Sequence, residues 1–213
     1  MPHEHHQHCC GAGHDFDGVS ADYIRRLIIV IAINAAMFVV EMTAGTLAGS
    51  QALFADALDF LADTMTYAIS LAVIGMSLRV RSTAALVKGI SLSLMGLWVL
   101  GSTVWQVFIL HVPTAPIMMG TAVAALIANG ASVLLLMRYA QGDANVRSVW
   151  LCSRNDMIGN VAVVIAALGV WGVGTAWPDL IVAGIMATLF LSSSVRILRQ
   201  AWTEFRQQAD MEE

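Results

Sequence analysis

Charge is what this sequence has least of. Lysine, arginine, aspartate and glutamate make up 12% of the 213 residues, and hydrophobic residues make up 58%. Soluble domains carry about 25% charged and about 45–50% apolar residues. Segments 27–78, 89–137 and 155–195 contain no lysine or arginine at all. That scarcity excludes an ordinary soluble domain and places the chain among integral membrane proteins. Cysteine is also sparse: Cys9 and Cys10 are adjacent and Cys152 sits in an apolar run, so no disulfide framework is expected. The start lacks a basic segment running straight into an apolar stretch with a small-residue cleavage site, so a secretory signal is not expected. The net charge of −4 says little about partners, and no nucleic-acid partner is expected.

What is there, in abundance, is long apolar sequence. A spanning helix needs roughly 20 such residues to cross about 30 Å of hydrocarbon. Six segments qualify: 24–47, 53–78, 83–110, 115–139, 149–173 and 180–198. Runs this long and continuous satisfy their backbones in lipid as helices. The expected fold is an all-α integral membrane protein with six transmembrane helices. Pro113, Pro116 and Pro178 are expected between spans, where they interrupt no helix. All eleven basic residues fall before helix 1, between helices 2 and 3, around the junction of helices 4 and 5, or after helix 6. By the positive-inside rule both termini are cytoplasmic. The chain then divides into a His/Cys-rich disordered head (1–22), a six-helix domain (23–200) and a short cytoplasmic tail (201–213) with no room for a second domain.

Against this apolar background, three aspartates stand inside the second span. Asp56, Asp59 and Asp63 follow an i, i+3, i+7 pattern, which puts them on one helical face. A carboxylate inside hydrocarbon is costly and marks a functional site by default. Helix 5 carries Cys152, Asp156 and Asn160 at spacings of four, also on one face. Arg154 points roughly the other way and can reach the cytoplasmic surface. At about 1.5 Å per residue, Asp63 lies roughly 15 Å from the outer boundary and Asp156 roughly 11 Å from the inner one. Both are near the midplane, so Asp59, Asp63, Cys152 and Asp156 can meet.

Carboxylates and a thiolate crowded in a low dielectric cannot all be ionised unless a cation joins them. Two carboxylates with a thiolate make a plausible tetrahedral Zn²⁺ site. Without the metal the same groups hold protons, which is the physical basis of a metal/proton exchange.

The order Asp-Ala-Leu-Asp-Phe-Leu-Ala-Asp in helix 2, with Asp156-x-x-x-Asn160 in helix 5, resembles the cation diffusion facilitator family of zinc and divalent-metal transporters. The resemblance runs over about residues 24–200 and includes Asn34, Glu41, Gly45, the Ser50-Gln51-Ala52-Leu53 turn, Lys88-Gly89, Asn129 and the stretch from Ser193 to Arg199. It implies a metal site of Asp59, Asp63, Cys152 and Asp156. The family usually has His or Asp where Cys152 stands; a thiolate there favours soft ions such as Zn²⁺ or Cd²⁺. If Cys152 is not a ligand, the three aspartates with water or Asn155 suit a harder ion such as Mn²⁺, Fe²⁺ or Co²⁺. Relatives carry a cytoplasmic α/β domain after helix 6, which strengthens their dimer; here about fifteen residues follow. The resemblance thus implies a short-form exporter in a bacterial inner membrane, with the lipid bilayer, divalent metal ions and protons as partners. A homodimer is expected, and no resident cofactor and no enzymatic activity.

His3, His5, His6, His8, Cys9 and Cys10 make a head able to capture metal weakly. The bland alternative is an incidental low-complexity start. Asp56 is either an outer-path ligand or a hydrogen-bond partner. Glu41, Asn34 and Asn129 line the pathway or pack helices together, packing being the expected role of the asparagines. The twelve methionines read as gap-fillers. Asp-x₃-Asp in helix 2 and Cys-x₃-Asp in helix 5 form a faint echo of inverted repeats. Two rival functions remain. An intramembrane aspartyl protease would use Asp63 and Asp156, but its Gly-x-Gly-Asp signature is missing. A passive channel or sensor would move metal independently of a proton gradient.

Overall fold

The computed structural model describes residues 20–72, 78–109, 111–139 and 144–212. Side chains near the starts of the third and fifth helices and the end of the sixth, including those of Cys152, Arg154 and Asn155, lie outside the description. So do the head residues His3, His5, His6, His8, Cys9 and Cys10.

The described chain is helical throughout: α1 (Ala21–Ala48), α2 (Gln51–Ala72), α3 (Leu78–Ile109), α4 (Ala115–Leu136) with a 3-10 turn (Met137–Tyr139), α5 (Ala144–Val173) and α6 (Trp177–Glu212). Five of these are long and apolar enough to cross a membrane; the exception is α2, which carries the three aspartates. Two expectations about helix ends change. Pro116 and Pro178 lie inside the first turns of α4 and α6, where a missing N–H costs nothing because those amides have no intrahelical acceptor. Residues 201–212 are helical and continue α6.

Ser20 starts α1 by accepting a hydrogen bond from the Tyr23 amide at 3.2 Å. The helix ends at Gly49, whose φ of 68° is left-handed and would strain any other residue. A Cβ there would also come 2.7 Å from the His111 ring. The chain reverses at once into α2, so the two helices form a tight antiparallel hairpin. Gly45 makes that closeness possible: a Cβ on it would stand 3.3 Å from Phe54 Cδ1 and 3.4 Å from Leu53 Cβ.

α2 is the centre of the bundle and touches all five other helices. The closest pairings around it are α1 with α2, α4 with α5, and α3 with α6. Small residues permit the last of these, because Gly89 and Gly96 of α3 lie against Leu198, Leu191 and Phe190 of α6. The outer faces are apolar, with Phe108, Leu47 and Trp105 prominently exposed, whereas Asn34, Glu41, Asp56, Asp63, Asn129 and Asn160 are buried. Polar inside and apolar outside is the arrangement hydrocarbon requires.

Candidate metal centre

The stripe on α2 faces inward. Asp56 and Asp63 are buried, at 1% and 8% exposure, and Asp59 between them is half-buried. Leu58 and Phe60, their neighbours in the sequence, are buried as well. From α5, Asp156 comes within hydrogen-bonding reach of both Asp59 and Asp63. Among the described residues no three His, Cys, Asp or Glu side chains close on a single metal-sized point. The three aspartates neighbour one another without forming a finished cage. Cys152 lies on α5 one turn before Asp156, with its side chain outside the description.

Two further groups lie at this site, Tyr67, which the sequence did not single out, and Lys88, which it gave no role. Tyr67, fully buried, donates its hydroxyl to Asp63 Oδ2 at 2.6 Å, and the Tyr67 hydroxyl oxygen lies 3.1 Å from Ser153 Oγ on α5. It is one turn beyond Asp63 on the same face, so continuing the stripe by four residues would have found it. Lys88 of α3 acts on Asp63 as a charge of opposite sign. It also lines a shallow cleft between α2 and α3 with Ala62, Met65, Ser91 and Met95.

A further acidic group fixes the far end of α2. Asp179 of α6, fully buried, accepts hydrogen bonds from Ser50 Oγ at 2.6 Å, the Gln51 amide at 2.8 Å and the Ala52 amide at 3.0 Å. Ser50 in turn accepts from the Leu53 amide at 3.1 Å. Together they satisfy amides that the first turn of a helix leaves without partners. Asp179 is thus a helix cap supplied by a neighbouring helix, where its charge also meets the positive end of the α2 dipole. The signal in the sequence was an acidic residue just after Pro178 at a helix start.

The chemistry of the centre follows from these positions. Asp59, Asp63 and Asp156 offer oxygen donors from two antiparallel helices, and Tyr67 and Ser153 tie those helices together beside them. Asn160, one turn beyond Asp156, is fully buried with neither side-chain polar atom hydrogen-bonded.

A helical membrane bundle with carboxylates converging at its centre is the architecture of an ion-handling membrane protein. The cation efflux transmembrane domain family matches residues 27–205, and the chain belongs to that family. It is similar to the zinc transporter ZitB of Escherichia coli strain K12, with 31% identity over 197 residues covering 84% of this chain and 62% of the relative. ZitB of Yersinia pestis is 29% identical over 201 residues, covering 88% and 64%. The metal cation efflux system protein CzcD of Cupriavidus metallidurans is 26% identical over 207 residues, covering 88% and 65%. The chain thus spans a little under two thirds of the length of these relatives.

Proposed function

We propose that this protein is a secondary transporter that exports divalent metal cations from the cytoplasm. Zn²⁺ is the main substrate and Cd²⁺ and Co²⁺ are further candidates. Asp59, Asp63 and Asp156 hold the ion, and Cys152 is the fourth ligand. The observation that carries this reading is the approach of Asp59 and Asp63 to Asp156 across the contact of α2 with α5. Membership of the cation efflux family and the names of the similar proteins support it.

The physics of exchange follows from the site. Three carboxyls this close in a low dielectric lose their mutual repulsion either by binding protons or by binding a dication. Loading metal therefore expels protons, and an inward proton gradient resets the site. Helix rocking around a fixed midplane site would open it first to one side and then to the other. In this reading both termini face the cytoplasm of a bacterial inner membrane, and the head of His3, His5, His6, His8, Cys9 and Cys10 collects ions on that side. The working unit is a homodimer.

The test is Zn²⁺ uptake into inside-out vesicles with an imposed pH gradient. Asp63→Asn and Asp156→Asn should each abolish flux, and collapsing the gradient should stop it in the wild type. Normal flux in both variants would discard the site, and flux indifferent to the gradient would point to a channel.

A further inference from the structure

Glu41 is the one ionisable residue of α1 between Arg26 and the Gly49 turn, and it is fully buried. Neither of its carboxyl oxygens, nor Asp56 Oδ2, meets an N–H or hydroxyl donor from another residue, and the two carboxyls lie within hydrogen-bonding reach of each other. The two side chains face each other across the α1–α2 hairpin. The register of that hairpin makes this unavoidable. Gly45 lies against Leu53 and Phe54, so one turn back on α1, Glu41 comes opposite the next turn of α2, where Asp56 stands. The charged groups acting on Glu41 are Asp56 and Asp59, both acidic.

A carboxyl whose work is to join two helices finds a donor, and buried polar side chains nearly always do. Asp179 does so within this same bundle, with three donors. Glu41 instead turns its carboxyl to the outer end of an acidic stripe, where its one near partner is a second carboxyl, Asp56, and no other donor meets it. We propose that Glu41 and Asp56 form a second divalent-cation station, built from oxygen donors alone and placed between the Asp59–Asp63–Asp156 centre and the Ser50 end of α2. Asp56 precedes Asp59 by three residues, about 4.5 Å along the helix axis.

The spacing gives the station its purpose. Two dications held one helical turn apart repel strongly in a medium of low dielectric. Arrival at one station thus favours departure from the other. The pair is a resting place for an ion leaving the centre, and its carboxylate donors accept harder ions than the thiolate-bearing centre does. The station rests on the transport reading for its place on a route, but its binding can be measured alone.

Mn²⁺ is the probe, because carboxylate oxygens suit it and the imidazoles and thiols of the head do not. In full-length protein purified in micelles, Asp63→Asn combined with Asp156→Asn should still bind one Mn²⁺, counted from the electron paramagnetic resonance of the free ion. Adding Glu41→Gln should weaken that binding at least tenfold, and adding Asp56→Asn in its place should do the same. In vesicles, Glu41→Gln alone should slow Zn²⁺ flux at least tenfold, although glutamine preserves size and hydrogen-bonding capacity. Loss of all Mn²⁺ binding in the folded double variant overturns the station, as does binding indifferent to both additions or wild-type flux in Glu41→Gln. Wild-type flux in Asp63→Asn would instead sink the transport centre and leave the Mn²⁺ measurement to judge the station separately.

Discussion

Tyr67 holds Asp63 by a 2.6 Å hydrogen bond and carries that hold across to α5 through Ser153, 3.1 Å away. One hydroxyl thus fixes the rotamer of a candidate ligand and pins the two helices that supply the centre. The tie lies on the side of Asp63 away from Asp56, so the centre has a hydrogen-bonded flank on one side and an acidic flank on the other.

Tyr67→Phe separates that tie from packing, since the ring remains and only the hydroxyl goes. A hydrogen bond to a charged group contributes about 1.5–3 kcal/mol. The variant should stay folded while the apparent KM for Zn²⁺ rises about tenfold and the maximal rate changes by less than threefold. Equal wild-type and variant KM values in vesicle flux would show that Asp63 needs no such positioning.

Cys152→Ser tests the chemistry of the fourth ligand. Sulfur favours soft ions, and a hydroxyl in its place favours hard ones. Flux of Cd²⁺ should fall at least tenfold relative to Mn²⁺ and Co²⁺, with Zn²⁺ between them. An unchanged ratio of the four rates would remove Cys152 from the ligand set.

The parts of this architecture that were legible in the sequence are those fixed by one helix at a time. Six long apolar runs give six helices, and the three-and-four spacing of Asp56, Asp59 and Asp63 gives a shared inward face. Depth arithmetic extends this to a pair of helices, α2 and α5, which pack against each other. It goes no further, because contacts between distant segments leave no local pattern. Ser50 and Asp179 are 129 residues apart, and the acidic residue after Pro178 marks a helix start without announcing that α6 caps α2. Glu41 was visible as a polar point on α1, but only the tight α1–α2 hairpin turns it toward Asp56. Helix ends were misjudged at Pro178 for a different reason: a proline that would break a helix interior fits comfortably in a first turn.

Asp179→Ala should destabilise the protein while sparing the centre. It removes the acceptor for the Gln51 and Ala52 amides and for Ser50 Oγ. Leaving such buried donors without a partner costs about 1–3 kcal/mol. Thermal aggregation of the micelle-solubilised protein should begin several degrees lower, while flux per folded molecule in vesicles stays within a few-fold of wild type. A full loss of flux with unchanged thermal behaviour would assign Asp179 to the pathway instead of the cap.

Glycine replacements distinguish contacts that yield from contacts that do not. At Gly89 a Cβ would stand 2.8 Å from Leu198 Cδ2, 2.9 Å from Leu198 Cγ and 3.2 Å from Ile197 Cγ2, side-chain atoms that a rotamer change can shift. At Gly169 the distance is also 2.8 Å, but the obstacle is Pro178 Cβ, with Cγ at 3.0 Å. A pyrrolidine ring has no rotamer to escape into, and Pro178 belongs to the turn that presents Asp179 to α2. Gly169→Ala therefore has to move the start of α6, and overpacking of this kind costs about 1–3 kcal/mol. Gly89→Ala should cost well under half of that. Side-by-side thermal aggregation of the two variants checks the ordering, and Gly169→Ala combined with Pro178→Ala should recover most of the loss. If both single variants are equally stable, α5 and α6 are less tightly apposed at this end than the Pro178 contact implies.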